Sequence, residues 1–377
     1  MASTIAVGLQ LPTTAPLALN RALVAWARLL RLDSCLVADH WQTFMPPALW
    51  DPQLTWLARY APSPHAFFDY QVLLGSLAAR AGRLRLGVGV TEPLRRHPIL
   101  IAQAMLTLAH LTRRAPILGL GTGERLNITP YGLDFTARTA RLAEAVQIIR
   151  RCFAGQSPID FDGAHYQLRH AVLDLQVPRG KTPPIWIAAH GPHMLQMTGQ
   201  YGDGWYPGLI RSPAEYAAKL AIIREAAQAA GRNPAAITPA LWQPILVAAT
   251  EREARALLDT LAGRSPALLV VPAAEWRQVG AAHPFGADYR GILDFLPEAY
   301  DQRTCVEGLA AVPPELRGYG YLWGTPAQVA GQLRALGDVG LRHVVLDLGA
   351  QMSVSPRACL YGMVAVQRIV RMVRQRP

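Results

Sequence analysis

Five places along the chain set polar groups able to do chemistry where an ordered strand or turn would end: Asp39-His40, Thr91-Glu92, Gly121-Thr122-Gly123-Glu124, His190-Gly191-Pro192-His193 and Asp347. An imidazole can give or take a proton near neutral pH, which makes His40 a candidate acid. Asp39 precedes it on an extended stretch, points to the other side and need not act with it. Glu124 follows two glycines whose bare amides could face an anion or a flat ring; its carboxyl could be an acid, a base, or a helix N-terminal charge. The series Gly119-x-Gly121-x-Gly123 does not have GxGxxG spacing, so a Rossmann dinucleotide loop is rejected there. Ala189-His190-Gly191-Pro192 reads either as a plain loop or as a turn into a helix whose free amides would hold an anion. His190 and His193 lack a third ligand at suitable spacing, so no metal is expected. No GxSxG elbow is present.

A sixth feature is backbone rather than side chain. Gly89-Val90-Thr91-Glu92-Pro93 closes an apolar run, Leu84 to Val88. A glycine at the exit of a buried strand lets another ring approach the main chain closely; the plainer reading is an ordinary turn into the helix that Pro98 opens.

The elements that must position these groups recur with regularity. Strand-length apolar runs are expected at Ile5–Leu9, Cys35–Ala38, Leu84–Val90, Ala115–Leu120, Ile185–Ala188, Asp203–Tyr206, Ala240–Ala249 and Val344–Asp347. Helical periodicity follows most of them, at Leu19–Arg31, Pro98–Leu111, Arg138–Phe153, from Pro192, at Ser212–Ala230 and at Pro356–Val373. Thr325-Pro326 supplies a cap and a first-turn proline for one more helix, ending at Gly337. Strands alternating with crossover helices pair in parallel, and eight of them permit closure, so the expected fold is α/β, a (β/α)8 TIM barrel, with an open doubly wound sheet as the runner-up. Polar groups at the C-terminal ends of such strands would then meet at one mouth. One domain spanning 1–377 is expected, with an insertion at about 263–323 after the seventh strand. A long loop from residue 41 carries Trp41, Phe44, Met45, Trp50, Trp56 and Tyr60, too aromatic for disorder; it could roof an apolar channel or simply pack.

Composition narrows the partners. The chain has 377 residues, 51% of them apolar, and a formal charge of +11 from 37 basic and 26 acidic residues, with lysine only at Lys181 and Lys219. The basic residues are scattered and not interleaved with aromatics, so no nucleic-acid partner is expected; an anionic cofactor suits the charge. Cys35, Cys152, Cys305 and Cys359 lie far apart without CxxC spacing, which favours a reducing compartment. The N-terminus has no basic n-region and no run reaches the roughly 18 to 20 apolar residues of a membrane span, so a cytoplasmic protein without stable membrane insertion is expected.

Seven motifs in order now carry a resemblance: Asp39-His40, Gly89-Val90-Thr91-x-Pro93, Arg96-x-Pro98, Gly119-x-Gly121-Thr122-Gly123-Glu124, Ala188-Ala189-x-Gly191-Pro192, Gly202-Asp203-Gly204-Trp205 and Gly324-Thr325-Pro326. Together they resemble the bacterial-luciferase-like superfamily, in the branch that uses the deazaflavin coenzyme F420. Trp186 to Pro192, Val270 to Asp288 and Asn127 to Gly132 look most like the phthiodiolone ketoreductases within it, with methylenetetrahydromethanopterin reductases and sugar-phosphate dehydrogenases as neighbours. The resemblance implies a TIM barrel, commonly a homodimer, and a non-prolyl cis peptide at Gly89-Val90 backing the deazaflavin. It implies that His40 and Glu124 face the reacting carbon, that Asp39, Gly89, Val90 and Thr91 contact the ring, that Thr122, Gly123 and Asn127 line the cofactor, and that Ala188, Ala189, His190 and Gly191 approach its phosphate. The sugar-phosphate pocket of that branch is not recognisable. The expected reaction is hydride transfer from reduced F420 to a hydrophobic, lipid or polyketide-derived ketone, with His40 preferred over Glu124 as proton donor. Two alternatives stand beside it: an FMN-dependent monooxygenase of the wider superfamily, and a non-catalytic cofactor-binding protein.

Overall fold

The computed structural model describes residues 4–375. Eleven strands are present among them: β1 Ala6–Gln10, β2 Ser34–Val37, β3 Arg85–Thr91, β4 Ile117–Leu120, β5 Ile159–Asp162, β6 Gln167–Ala171, β7 Ile185–Ile187, β8 Gly204–Trp205, β9 Thr238–Val247, β10 Leu322–Gly324 and β11 His343–Asp347. Eight of them, β1, β2, β3, β4, β7, β8, β9 and β11, run parallel in a ring that closes where β9 meets both β8 and β11. Each of the expected strands is one of these eight, and the closed barrel replaces the open-sheet alternative.

Closure depends on how the interior is filled. Trp186, Tyr206 and Trp242 project into a barrel whose facing positions are glycines: a Cβ on Gly204 would lie 2.3 Å from Trp186 Cδ1, and one on Gly208 2.6 Å from Trp242 Cε3. Large side chains opposite missing ones thus share the centre. Leu36, Ile117, Ala240 and Val345 complete this inner cluster, and the larger core lies between barrel and helices. At the opposite end from the candidate site, His343 Nε2 and Ser34 Oγ bond at 2.8 Å in full burial.

The helices fall near their expected bounds, with Pro98–Leu111, Arg138–Phe153 and Pro356–Arg374 as examples. The helix Tyr70–Ala81 stands in a stretch for which the sequence reading named no element; Asp69 caps it, accepting from the Gln71 and Val72 amides. Two further additions are the antiparallel β5–β6 hairpin and β10, which pairs with the end of β9 through Leu322↔Ile245 and Gly324↔Val247. Between β9 and β10 lie four α-helices, Glu251–Leu258, Leu261–Leu269, Ala273–Gln278 and Gln302–Ala310, and the last three share a second apolar cluster that includes Trp276, Phe295 and Cys305. Leu49 and Leu126, from the loops after β2 and β4, belong to that cluster, so the segment packs over the side of the mouth where His40 and Glu124 lie. No helix among the described residues is long and apolar enough to cross a membrane.

Candidate active site

The mouth is organised around β3. Its ladder with β4 slips between Val88 and Thr91, so Gly89 and Val90 together oppose Gly119, and the Gly89–Val90 peptide is cis, as the resemblance implied. Gly119 makes this possible by having no side chain: a Cβ there would sit 2.4 Å from the Val88 carbonyl oxygen and 2.9 Å from Val90 Cγ1. On Gly89 it would meet Tyr206 Cε1 at 2.9 Å, and on Gly121 it would meet Val90 Cγ2 at 3.0 Å with Ala188 Cβ at 3.8 Å. Val90, Gly121 and Ala188 thereby form a floor of small side chains. Gly123 adopts φ +78, the left-handed region that favours glycine, as the chain turns toward Glu124.

His40 follows β2 and Glu124 follows β4, the two neighbours of β3, so their side chains span the end of the bulged strand. His40 Nε2 lies 3.2 Å from Glu124 Oε2, with the side chains 22% and 29% exposed, which leaves both within reach of a ligand. Phe44 and Phe67 stand edge-on to the His40 ring at centroid distances of 6.1 and 5.6 Å.

Asp39 takes a different place. Its Oδ2 accepts from Thr91 Oγ1 at 2.6 Å and pairs with Arg95 Nη2 at 3.2 Å and Arg96 Nε at 3.4 Å, all but out of solvent. Arg95 also bonds the Asp39 carbonyl at 2.7 Å, pairs with the buried Glu92 carboxylate and lies under the Trp41 ring. Adjacent residues thus have separate partners, in keeping with the alternation of an extended chain. Arg95 and Glu92 were not assigned roles from sequence; their spacing of three immediately after a strand was the signal available.

Asn127 is 1% exposed, its Oδ1 accepting from the Trp41 and Gln42 amides, both at 2.8 Å, and its Nδ2 reaching Glu124 Oε2 at 3.1 Å and Gln42 O at 3.3 Å. Thr122 is half-buried at the same rim. Ala189 is buried, its carbonyl bound by Trp205 Nε1 at 2.9 Å, whereas His190 and Gly191 are exposed. Gly191 caps the helix Pro192–Tyr201 with no side chain serving the first-turn amides. On the far side of the mouth, Asp347 accepts from Trp242 Nε1 at 3.1 Å and the Gly349 amide at 2.7 Å; burial raises its carboxyl above the usual range. Tyr206 Oη and Gln10 Oε1 are buried there without a hydrogen-bond partner. No group of three His, Cys, Asp or Glu among the described residues is placed to hold a metal.

The long aromatic loop is mostly packed. Trp50 Nε1 bonds Ala61 O at 2.7 Å, Trp56 Nε1 bonds Met352 O at 2.9 Å, and Phe44 stacks on Phe295 at 6.3 Å. His65 joins this loop to the helical segment, its Nδ1 accepting from Thr43 N at 3.1 Å and its Nε2 standing 3.7 Å from Glu298.

A profile of the luciferase-like monooxygenases matches residues 2–343. The chain belongs to that family. Within it, the chain is 36% identical over 365 residues to the phthiodiolone/phenolphthiodiolone dimycocerosates ketoreductase of Mycobacterium tuberculosis, covering 96% of this chain and 95% of that protein. An F420-dependent glucose-6-phosphate dehydrogenase of Mycolicibacterium fortuitum is 35% identical over 210 residues, 54% of this chain and 56% of its own length. The coenzyme F420 dependent tetrahydromethanopterin reductase of Methanopyrus kandleri superposes with a TM-score of 0.75 at 17% identity, covering 98% of each chain, and shows the shared fold of the family.

Proposed function

We propose that this family member is an F420-dependent oxidoreductase that reduces a hydrophobic ketone. The observation that carries the reading is the His40–Glu124 pair, 3.2 Å apart, set across the end of the bulged strand. The residues present fit a deazaflavin: Gly119 and Gly121 keep Cβ atoms away from Val90 beside the bulge, and Tyr206 Oη and Gln10 Oε1 are buried polar atoms without a protein partner. The ketoreductase and F420-dependent relatives support both the chemistry and the coenzyme.

Reduced F420, when bound, supplies the hydride. Gly89, Val90, Thr91, Thr122, Gly123 and Asp39 would hold its ring, and the uncapped first-turn amides beyond Gly191, with Ala188, Ala189 and His190, would meet its phosphate. His40, protonated on both ring nitrogens, would pass the Nε2 proton to the carbonyl oxygen as that oxygen becomes the alcohol, and would be left as the neutral imidazole. Glu124 would aim the imidazole and offset its charge, and solvent would restore the proton that the alcohol carries away. Phe44 and Phe67 keep water from the far edge of the ring and give an apolar substrate its nearest wall. A lipid or polyketide-derived ketone suits that wall and the name of the 36% identical relative.

A homodimer is part of the proposal, since Val72, Leu100 and Leu111 stand 73%, 55% and 53% exposed on the outer faces of two neighbouring helices. A cytoplasmic location accords with four free thiols.

The test is fluorescence titration of the purified protein with oxidised F420 and, in parallel, FMN, followed by turnover with long-chain ketones. Tight F420 binding without FMN binding is expected. FMN binding alone refutes the proposal and favours the monooxygenase reading, and F420 binding without turnover of any ketone favours a non-catalytic binder. His40→Ala is expected to keep F420 affinity within a few fold while turnover falls by roughly 10² or more; unchanged turnover moves the donor to Glu124 or to water.

A further inference from the structure

We propose that the outer face formed by the helices Pro356–Arg374 and Leu17–Leu29 is a docking surface for an anionic lipid bilayer, on which the protein rests without inserting a segment. The inference goes beyond the oxidoreductase reading and does not depend on it.

A helix turns by about 100° per residue, so side chains three and four apart line up on one side. Arg357, Leu360, Val364, Arg368 and Arg371 have that spacing along Pro356–Arg374, and all five are exposed. Leu360 and Val364, 67% and 47% exposed, stand in the middle of the row with arginine at both ends. The opposite side, with Ala365, Val366, Ile369 and Val373, is buried in the core. The helix contains no Asp or Glu. Among the described residues Arg357, Arg368 and Arg371 form no ion pair, whereas Arg374 on the flank pairs with Asp33 at 3.2 Å.

The face continues across the seam where β11 pairs with β1. Arg374 reaches over it to the carbonyls of Leu30 at 3.3 Å and Arg31 at 2.7 Å. The helix Leu17–Leu29 on that side also lacks Asp and Glu, and it exposes Arg21, Ala25, Arg28 and Leu29, the last at 81%. Asp33, the carboxylate at the seam, is already taken up by Arg374 and by the Val7 amide at 2.9 Å. At its other end the row adjoins the aromatic loop of the mouth, since Met352 and Ser353, just before Pro356, hold Trp56 Nε1 and Thr55 Oγ1 through their carbonyls. A bilayer on this face would thus lie beside the entrance to the candidate site.

The chemistry of the row selects its partner. Arginines meet the phosphates of lipid headgroups, and aliphatic side chains between them enter the boundary with the acyl chains. The formal charge of +11 adds attraction at longer range. A second copy related by a twofold axis would set these arginines against arginines. A nucleic acid would satisfy the arginines and leave Leu29, Leu360 and Val364 against a polar backbone. The face is separate from the helices Tyr70–Ala81 and Pro98–Leu111, whose exposed apolar residues were assigned to the dimer.

The test is co-sedimentation of the full chain with vesicles of phosphatidylglycerol and phosphatidylcholine in equal parts, against vesicles of phosphatidylcholine alone. Binding to the first should weaken with added salt, and binding to the second should be weaker by roughly 10-fold or more. Replacing Arg357, Arg368 and Arg371 together by Gln should cost roughly 5-fold per arginine, or roughly 100-fold in all. Leu360→Ser with Val364→Ser should cost roughly 10-fold and keep the salt dependence. The control removes the same charge elsewhere: Arg169, Arg290 and Arg303, which pair with Asp162, Asp294 and Glu307, changed together to Gln, should leave binding within roughly 3-fold. No binding of the wild type to the anionic vesicles overturns the proposal without any variant. Equal losses in the two arginine triples overturn it in favour of attraction by net charge alone. Binding to duplex DNA but not to vesicles overturns it in favour of a nucleic acid, and dissociation of a dimer by Leu360→Ser with Val364→Ser overturns it in favour of a second copy.

Discussion

Replacing Gly119 with alanine tests whether the bulge after β3 is seated by a missing side chain. The new Cβ would lie 2.4 Å from the Val88 carbonyl oxygen, 2.9 Å from Val90 Cγ1 and 3.2 Å from Gly89 Cα. Restoring an ordinary 3.4 Å contact to that oxygen means moving backbone by about 1 Å, and the oxygen belongs to the strand that ends in the bulge. Overpacking of this kind costs about 1–3 kcal/mol. The movement falls on Gly89 and Val90, the floor of the proposed ring site, so F420 affinity should drop by roughly 10-fold or more in addition. Urea unfolding gives the first number and fluorescence titration the second. Gly75→Ala is the control: nothing lies within 4 Å of that Cβ, and the position is helical, so a gain of about 0.5–1 kcal/mol with unchanged affinity is expected. Wild-type affinity and stability in Gly119→Ala would show that the bulge tolerates a side chain, and the account of the floor would be wrong.

Three further outcomes are expected. Arg95→Met leaves Asp39 and Glu92, 4% and 3% exposed, without the guanidinium they share, and a loss of about 3–5 kcal/mol should appear as a lower urea midpoint; less than about 1 kcal/mol would mean Arg96 alone suffices. Burial pushes the His343 imidazole down to about 4 from its ordinary 6.5, so on acidification the unfolded chain takes the proton first. Its contribution is intact above pH 6.5 and is lost as pH falls toward 4, by about 3 kcal/mol in all; His343→Gln should flatten the dependence of Tm on pH across that window, and an unchanged slope would remove His343 as a cause. Phe67→Ala opens the apolar edge beside His40, and kcat/KM for a long-chain ketone should fall more than for acetone; equal losses would argue that Phe67 shapes the imidazole and not the substrate.

The barrel was legible because its strands are buried on both faces. Ile185-Trp186-Ile187 and Val344-Val345-Leu346 read as unbroken apolar runs, and turn residues separate them from helical periodicity. The β5–β6 hairpin escaped notice because β5 alternates buried and exposed residues over only four positions and β6 buries one residue in five, and β10 because it is three residues long. In the site, residue type at a strand end was enough to single out His40, Glu124 and Asp39. Type could not show that Asp39 would be held by Thr91, Arg95 and Arg96, or that Asn127 would reach back to residues 41 and 42. Those links join positions 52 to 86 residues apart, and only the order of strands around the barrel brings them together. The aromatic loop left two readings open because an indole looks the same in sequence whether its N–H meets a backbone carbonyl or a ligand. Trp50 and Trp56 meet carbonyls.

The floor between Val90 and Ala188 owes part of its shape to side-chain atoms that Gly119 and Gly121 lack. At those two positions the surface can change in one direction only, since substitution there can fill it and none can deepen it. Variation in what the scaffold accepts must therefore enter from the rim, through the loops after β2 and β4 and the helical segment beyond β9, whose side chains can shrink as well as grow. A library aimed at new ketones would do best to hold positions 89, 119 and 121 constant and diversify 44 and 67, which would retune the guest while the seat of the ring keeps its contour.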